Sequence, residues 1–508
     1  MATIVFGLDG ANWPLVEPWL NAGELPNIQR MREEGLWGIS ESVLPPVTCP
    51  NWKCYASSRA PDTHDVYWWE KVNKETVEID IPNSGSFTSP ELWDYLNDTG
   101  VSAGVMNLPM SYPPRKIDGF MIAGGPRSRE ENYTYPGPLE AELEREDSYR
   151  VHPETVVTSN SGEGVEPTLE LIETRFRTAK RLLDESDIEF LHLTIFHLNV
   201  LQHYFWNGDP VYRAWKRIDE AIGEFLNKGH TVFLMSDHGC TDIDTVFYIN
   251  EWLQQEGHLS METTAVDYMM RAGLTQKRVA KMVRSMGLET TIRKLVPRRL
   301  VDRFPDDEGI KRDSKFDKIE QDGTLAVASG QGLVYVLVPP TDARYEPVRS
   351  MIVDRLGELT TPNGTPVADE IHLGDELYPN GDPMYRPDIV FEQGPGVHTS
   401  GAVGRGKLMA GPGQWAAENV RDGLFLAHGD DVLPAGDIGR ISILDIAPTV
   451  LYSMGEPIPE SFEGTPIEAV DAGGDAPTYR SPLADRDDAR TGDSEAVQQR
   501  LADLGYLE

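Results

Sequence analysis

Two short segments far apart in the chain constrain its fold most. "TIVFGLD" (3–9) and "TVFLMSDHG" (231–239) are apolar runs that each reach an acid at the C-terminal tip. A continuous apolar run, without polar alternation, predicts a strand buried on both faces. "FLHLTIF" (190–196) and "GLVYVLV" (332–338) predict further strands. Between them lie the helix-like stretches "PNIQRMREEG" (26–35), "LELIETRFRTAKRLLDES" (169–186) and "YRAWKRIDEAIGEFLNKG" (212–229). Strands alternating with helices predict an α/β fold, a mostly parallel central sheet with helices on both faces. Ligands of such sheets bind outside the carboxyl ends of the strands. Asp9, Asp237 and His238 therefore fall on the functional edge.

At 508 residues the chain exceeds one ordinary domain and is ample for a large α/β core. The predicted organisation is a core in two parts, residues 1–255 and 326–470. A helical cap, 256–325, is inserted between them, and an acidic flexible tail with a short terminal helix, 471–508, follows. Within the insertion, "TQKRVAKMVRSMG" (275–287) places Val279, Met282, Val283 and Met286 on one helical face. From Arg271 to Arg303 ten Lys or Arg stand against Glu289 and Asp302. Two readings of that charge stay open: pairing with an acidic neighbour, or a positive cap that draws in an anionic substrate. The tail, "DAGGDAPTYRSPLADRDDARTGD" (471–493), has the polar, Pro- and Gly-rich composition of a disordered linker.

The whole chain is strongly acidic, with 46 basic against 82 acidic residues and a net charge of −36. Of the basic residues, 14 are Lys and 32 are Arg. Low lysine with acids spread along the chain resembles proteins of salt-loving microbes. Such a surface repels itself in dilute buffer and is screened in molar salt, where the Debye length is about 3 Å. An acidic tail for a basic partner fits less well, because the acids are not confined to one block. The same charge argues against nucleic-acid binding. No run of about 18 apolar residues exists to span a membrane. "MATIVFGLDG" lacks the basic start and small-residue cleavage site of a secretion signal. Cys49, Cys54 and Cys240 make no disulfide framework, which predicts a reducing cytoplasm. Oligomeric state is left open.

"VLPPVTCPNW" (43–52) puts Thr48 and Asn51 where a helix would begin after two prolines. Thr48 has two readings. One is a helix N-cap, stabilising by about 1 kcal/mol. The other is a nucleophile at the positive end of a helix, whose free N–H groups attract an anion. Asp9, Asp237 and His238 together offer two carboxylates and an imidazole. That set binds a divalent cation and leaves a position for the Thr48 oxygen. Such an ion lowers the hydroxyl's pKa and neutralises charge on the attacked group.

Several motifs in order carry a family resemblance: "VFGLDGANW" (5–13), "PPVTCPNW" (45–52), "NLPMSYPP" (107–114), "NVLQHYFW" (199–206), "LMSDHG" (234–239), "RPDIVF" (386–391) and "DIAPTVLYSMGEPIPESFEGTPI" (445–467). The chain resembles the alkaline phosphatase superfamily, in its type I phosphodiesterase/nucleotide pyrophosphatase branch. The likeness spans most of residues 1–470, and "LADLGYLE" at the end is similar too. It implies an alkaline phosphatase-like fold and metal-dependent hydrolysis of a small anionic phosphate ester. It further implies Thr48 as nucleophile and Asn51 as the amide holding a phosphoryl oxygen. One metal site is implied at Asp9, Thr48, Asp237 and His238.

A second metal site in that family takes an Asp and a His four residues apart, and a late His. Here the spacing survives as Asn199 and His203, and Asn419 stands where the late His is expected. His398 substitutes only if the chain folds back, and His197 reads as structural. An Asn carbonyl is a weak, uncharged ligand. The expectation is therefore one firmly bound ion, Zn or Mn, with the second left open. A sulfatase fits less well, because Thr48 and Trp52 stand where its Cys or Ser and its Arg belong. The alternative to an enzyme is a scaffold that only binds an anion or a partner.

Overall fold

The computed structural model describes residues 1–261, 319–320, 323–430, 432–470, 474 and 476–486. Its centre is a nine-stranded sheet. In spatial order the strands are Gly436–Ser442, Leu36–Glu41, Phe425–His428, Thr231–Met235, Thr3–Gly7, Phe190–Thr194, Ala103–Pro109, Gly119–Gly124 and Thr134–Tyr135. Phe425–His428 and Thr134–Tyr135 run against their neighbours; the other pairings are parallel. The expected α/β architecture is present.

The continuous apolar runs make sense in this setting. Successive side chains of a strand point to opposite faces. Ile4 and Phe6, Leu191 and Leu193, and Val232 and Leu234 pack on one face, against the helices Val165–Glu185 and Asp209–Leu226. Val5, Phe190, Phe233 and Met235 pack on the other, with Trp52 and Tyr55 of the Thr48–Ser57 helix and residues of Ile446–Ser453. Both faces are covered, so polar alternation is absent.

"GLVYVLV" does form a strand, Leu333–Val336, but not in the central sheet. It belongs to a four-stranded sheet with Ala326–Ala328, Ile389–Gln393 and Ala368–Leu373, all paired antiparallel. The short connection from Ala328 to Leu333 dictates this, since a parallel partner needs a crossover of a dozen or more residues. This sheet and the Tyr345–Gly357 helix enclose a core of their own, which includes Val334, Ile352 and Val390.

The tail departs from expectation in part. Tyr479–Arg480 pairs with Ile458–Pro459, and Arg480 forms an ion pair with Asp98 at 2.6 Å. Arg486 reaches the buried Glu91 at 3.0 Å, where Lys53 and Arg115 also converge at 2.6 and 2.8 Å. Residues 476–486 are thus a strap fixed to the body, because their arginines meet the exposed Asp98 and the buried Glu91. Lys53 lies in the Thr48–Ser57 helix, so the same network anchors the helix that carries Thr48. The expected basic helix over 275–287 lies outside the described residues. So does the terminal "SEAVQQRLADLGYLE". Among the described residues no helix is long and apolar enough to cross a membrane.

Candidate functional site

Strand register brings the two acids together. Thr3–Gly7 pairs in parallel with Thr231–Met235, and Gly7 stands opposite Met235. Two residues beyond each strand end are Asp9 and Asp237, both fully buried. Gly10 turns the chain just after Asp9 with φ +73°, and a Cβ there would lie 2.6 Å from Asn199 Oδ1. The sharp turn and the close approach of Asn199 both require glycine here.

Thr48 is not the cap of its helix. Val47, with extended backbone, holds that position, and Thr48 is the first helical residue. Its hydroxyl instead lies 3.3 Å from Asp9 Oδ1 and 3.2 Å from His238 Nε2. Four residues on, Trp52 donates its indole N–H to Asp9 Oδ2 at 2.9 Å. Gly7 makes room for that ring, since a Cβ at Gly7 would sit 2.4 Å from it. Trp52 holds Asp9 in place, a role that nothing in its local sequence announces.

His238 turns one ring nitrogen towards the two acids. The Gly239 carbonyl lies 2.9 Å from its Nδ1, which assigns the ring proton there and leaves a lone pair on Nε2. Nε2 stands 3.3 Å from Asp237 Oδ2 and 3.6 Å from Asp9 Oδ1. Burial holds the imidazole neutral, its pKa pushed down to about 3. Burial likewise raises the pKa of Asp9, against hydrogen bonds from Trp52, Thr48 and Asn199. It raises that of Asp237 well above the usual carboxylate range, and the charge of Asp9 adds to the effect. Among the described residues Asp237 Oδ2 has no hydrogen-bond partner. Ligand atoms of Asp9, Asp237 and His238 all lie within 4.8 Å of one another. Among the described residues the two buried carboxylates beside the open imidazole lone pair have no positive partner, and a divalent cation fits that set.

Asn51 lies next to them, also fully buried. Its Nδ2 contacts Ser42 Oγ and, at 3.3 Å, the Asp237 carbonyl, while its Oδ1 has no partner among the described residues. In this state the amide braces the Ser42–Asp237 contact, with Ser42 Oγ donating to the same carbonyl at 2.7 Å.

The expected second-site residues also converge, but as neutral groups. Cys240 Sγ lies 3.2 Å from Asn199 Oδ1 and 3.9 Å from Asn419 Oδ1. His203 Nδ1 lies 2.9 Å from the Ala417 carbonyl, and its ring stacks on Trp415 at 3.9 Å. His398 is brought nearby by the strand Val397–Ser400 and pairs with Glu418, the neighbour of Asn419. His197 lies elsewhere, against Phe196 and His152. The two amides and the thiol are uncharged and poor ligands for a hard dication, and His203 adds a single imidazole. Cys240 is the member that the sequence did not single out. A further group, Glu370, His372 and Glu392, lies at the edge of the four-stranded sheet, and there Glu392 already pairs with Arg421 at 2.8 Å.

The fold has known counterparts. Phosphonoacetate hydrolase from Sinorhizobium meliloti 1021, solved with phosphonoformate and with phosphonoacetate, superposes with a TM-score of 0.56 at 15% identity. That match covers 84% of this chain and 89% of the hydrolase. Human ectonucleotide pyrophosphatase/phosphodiesterase 5 matches at 11% identity and a TM-score of 0.49, over 90% of this chain and 95% of that one. No curated protein matches the sequence. The family model for type I phosphodiesterase / nucleotide pyrophosphatase matches residues 3–333. With that match over more than half its length, the chain belongs to the type I phosphodiesterase/nucleotide pyrophosphatase family.

Proposed function

We propose that this protein hydrolyses small anionic phosphate esters, with Thr48 as nucleophile and one divalent ion, Zn or Mn, held by Asp9, Asp237 and His238. One observation carries the reading. The Thr48 hydroxyl opens a helix and is not spent on capping it; it faces Asp9 Oδ1 and His238 Nε2. When bound, the ion supplies positive charge that acidifies the hydroxyl and offsets the charge of the substrate. Thr48 Oγ1 forms a bond to phosphorus and the ester P–O bond breaks. The hydroxyl proton passes by way of Asp9 Oδ1, the acceptor it already faces, to the leaving alkoxide, which departs as the alcohol. Water then attacks the phospho-threonine, releases the phosphate product and restores the hydroxyl. The first-turn N–H groups of the helix favour the phosphoryl oxygens throughout. Asn51 joins them if its amide exchanges Ser42 for a substrate oxygen.

The acidic surface and low lysine content support a salt-adapted protein, and three buried free cysteines support a reducing cytoplasm. The test is a panel of phosphate mono- and diesters in molar salt, with Mn²⁺ or Zn²⁺ and then with chelator. The expected result is turnover that needs the metal. A metal-loaded protein that turns over no ester would favour the anion-binding scaffold.

A further inference from the structure

The four-stranded sheet carries an imidazole and two carboxylates on one face, outside the proposed active site. Ala368–Leu373 is its edge strand and pairs antiparallel with Ile389–Gln393. The register slips by one residue between Ala368 and Glu370. Before the slip Ala368 stands opposite Gln393; after it Glu370 stands opposite Glu392 and His372 opposite Val390. Side chains alternate along a strand, so without the extra residue Asp369 and Ile371 would share the face of Glu392. The bulge turns Glu370 and His372 onto that face instead.

Like charges directly opposite one another destabilise a sheet. Here an imidazole nitrogen points between them. His372 Nε2 lies 3.7 Å from Glu370 Oε2 and 3.6 Å from Glu392 Oε1. Those distances exceed a hydrogen bond of about 2.7–3.2 Å. Nε2 is closed to solvent and has no hydrogen-bond partner among the described residues. The spacing is close to that around an ion: ligand atoms about 2.1 Å from a tetrahedral metal stand about 3.4 Å apart.

The charge balance points the same way. Arg421 pairs with Glu392 at 2.8 Å and with Glu41 at 2.9 Å. Glu370 has no Lys or Arg partner among the described residues. Three carboxylates thus share one guanidinium, which leaves an excess of two negative charges. Arg421 is compatible with a metal here, because a ligating carboxylate accepts a hydrogen bond as well and is oriented by it.

We propose that Glu370, His372 and Glu392 form a Zn²⁺ site, completed by water, that ties the edge strand to its neighbour. An imidazole with two carboxylates suits Zn²⁺, and Mn²⁺ binds such a set more weakly. The site does not depend on the chemistry proposed for Thr48. The rival arrangement is a protonated imidazole that only pairs with the two acids, and it holds no metal.

The test is equilibrium dialysis of the full-length protein in molar salt against micromolar free Zn²⁺, followed by elemental analysis. Wild-type protein is expected to hold two Zn²⁺ per chain. Glu370→Gln, His372→Ala and His238→Ala should each hold one, and Glu370→Gln combined with His238→Ala none. Glu370 is exposed, so Glu370→Gln removes a ligand without opening the core. Dialysis against Mn²⁺ should leave one ion in the wild type, lost only in His238→Ala. One Zn²⁺ in the wild type that only His238→Ala removes would overturn the proposal and leave the ion beside Thr48 standing. A Zn²⁺ content unchanged by both Glu370→Gln and His372→Ala would overturn it as well. One Zn²⁺ lost in those two variants but kept in His238→Ala would uphold the edge site and refute the ion beside Thr48.

Discussion

Asn199→Asp makes the charge argument quantitative. In the native protein the amide sits within hydrogen-bonding reach of the buried Asp9 carboxylate, itself beside Asp237. Replacing it by a carboxylate adds a third acid to a set whose ionisation burial already opposes. Two unit charges about 4 Å apart repel by about 4 kcal/mol at an effective dielectric of about 20. The escape route, keeping the new acid protonated at pH 7, costs about the same: about three pH units at about 1.4 kcal/mol each. At about 2.1 cal/mol/K per residue the chain's unfolding entropy is about 1.1 kcal/mol/K, so melting should fall by about 4 °C. The assay is thermal unfolding in molar salt, with chelator and then with Mn²⁺. Loss in chelator and recovery with Mn²⁺ are expected. Combining Asn199→Asp with Asn419→His and Cys240→Ala, which clears the space between them, should raise the ion count from one to two and raise diester hydrolysis. An Asn199→Asp protein that melts with the wild type in chelator would show that the site tolerates a third negative charge and refute the reasoning.

Other predictions concern the surface and the core. With a net charge of −36, the protein should lose helical circular dichroism on dialysis from molar salt into dilute buffer; a cooperative melt at low salt would contradict this. Burial pushes His64 and His192 down to about 3, below the ordinary value of about 6.5. The unfolded chain therefore takes up protons first, and stability present above pH 6.5 is lost as pH falls towards 3. Each histidine contributes up to about 1.4 kcal/mol per pH unit, so urea midpoints should drop between pH 7 and pH 5.5 and drop less in His192→Asn. Equal midpoints at the two pH values would refute it. If the basic stretch 271–303 steers anions, reversing Lys277, Arg278 and Lys281 to Glu should raise KM for an anionic ester at moderate ionic strength, and an unchanged KM would remove that role.

The parts of the site that were legible in the sequence are those set by single strands. An apolar run with an acid at its tip places Asp9, Asp237 and His238 at the sheet's carboxyl edge, and parallel register then brings the two acids side by side. Thr48 could be placed at a helix start, yet whether it caps the helix or faces Asp9 depends on Val47 taking the cap position. Trp52 was not legible, because it works through one contact with Asp9, distant in sequence, and a lone indole carries no spacing signal. The strand at 333–336 was legible as a strand, but its membership of a separate antiparallel sheet follows from the tight connection before it. The strap at 476–486 reads as linker by composition, because its order comes from Arg480 and Arg486 finding Asp98 and Glu91.

The proposed reaction begins with the attack of Thr48 on phosphorus. Rapid acid quenching of the Mn²⁺-loaded protein with excess phosphodiester, followed by peptide mass spectrometry, tests it most directly. One phosphoryl adduct, on residue 48, is expected in the wild type. Thr48→Ala should show no adduct and no turnover, with folding intact by circular dichroism. Full turnover by folded Thr48→Ala, or an adduct on another residue, would contradict it.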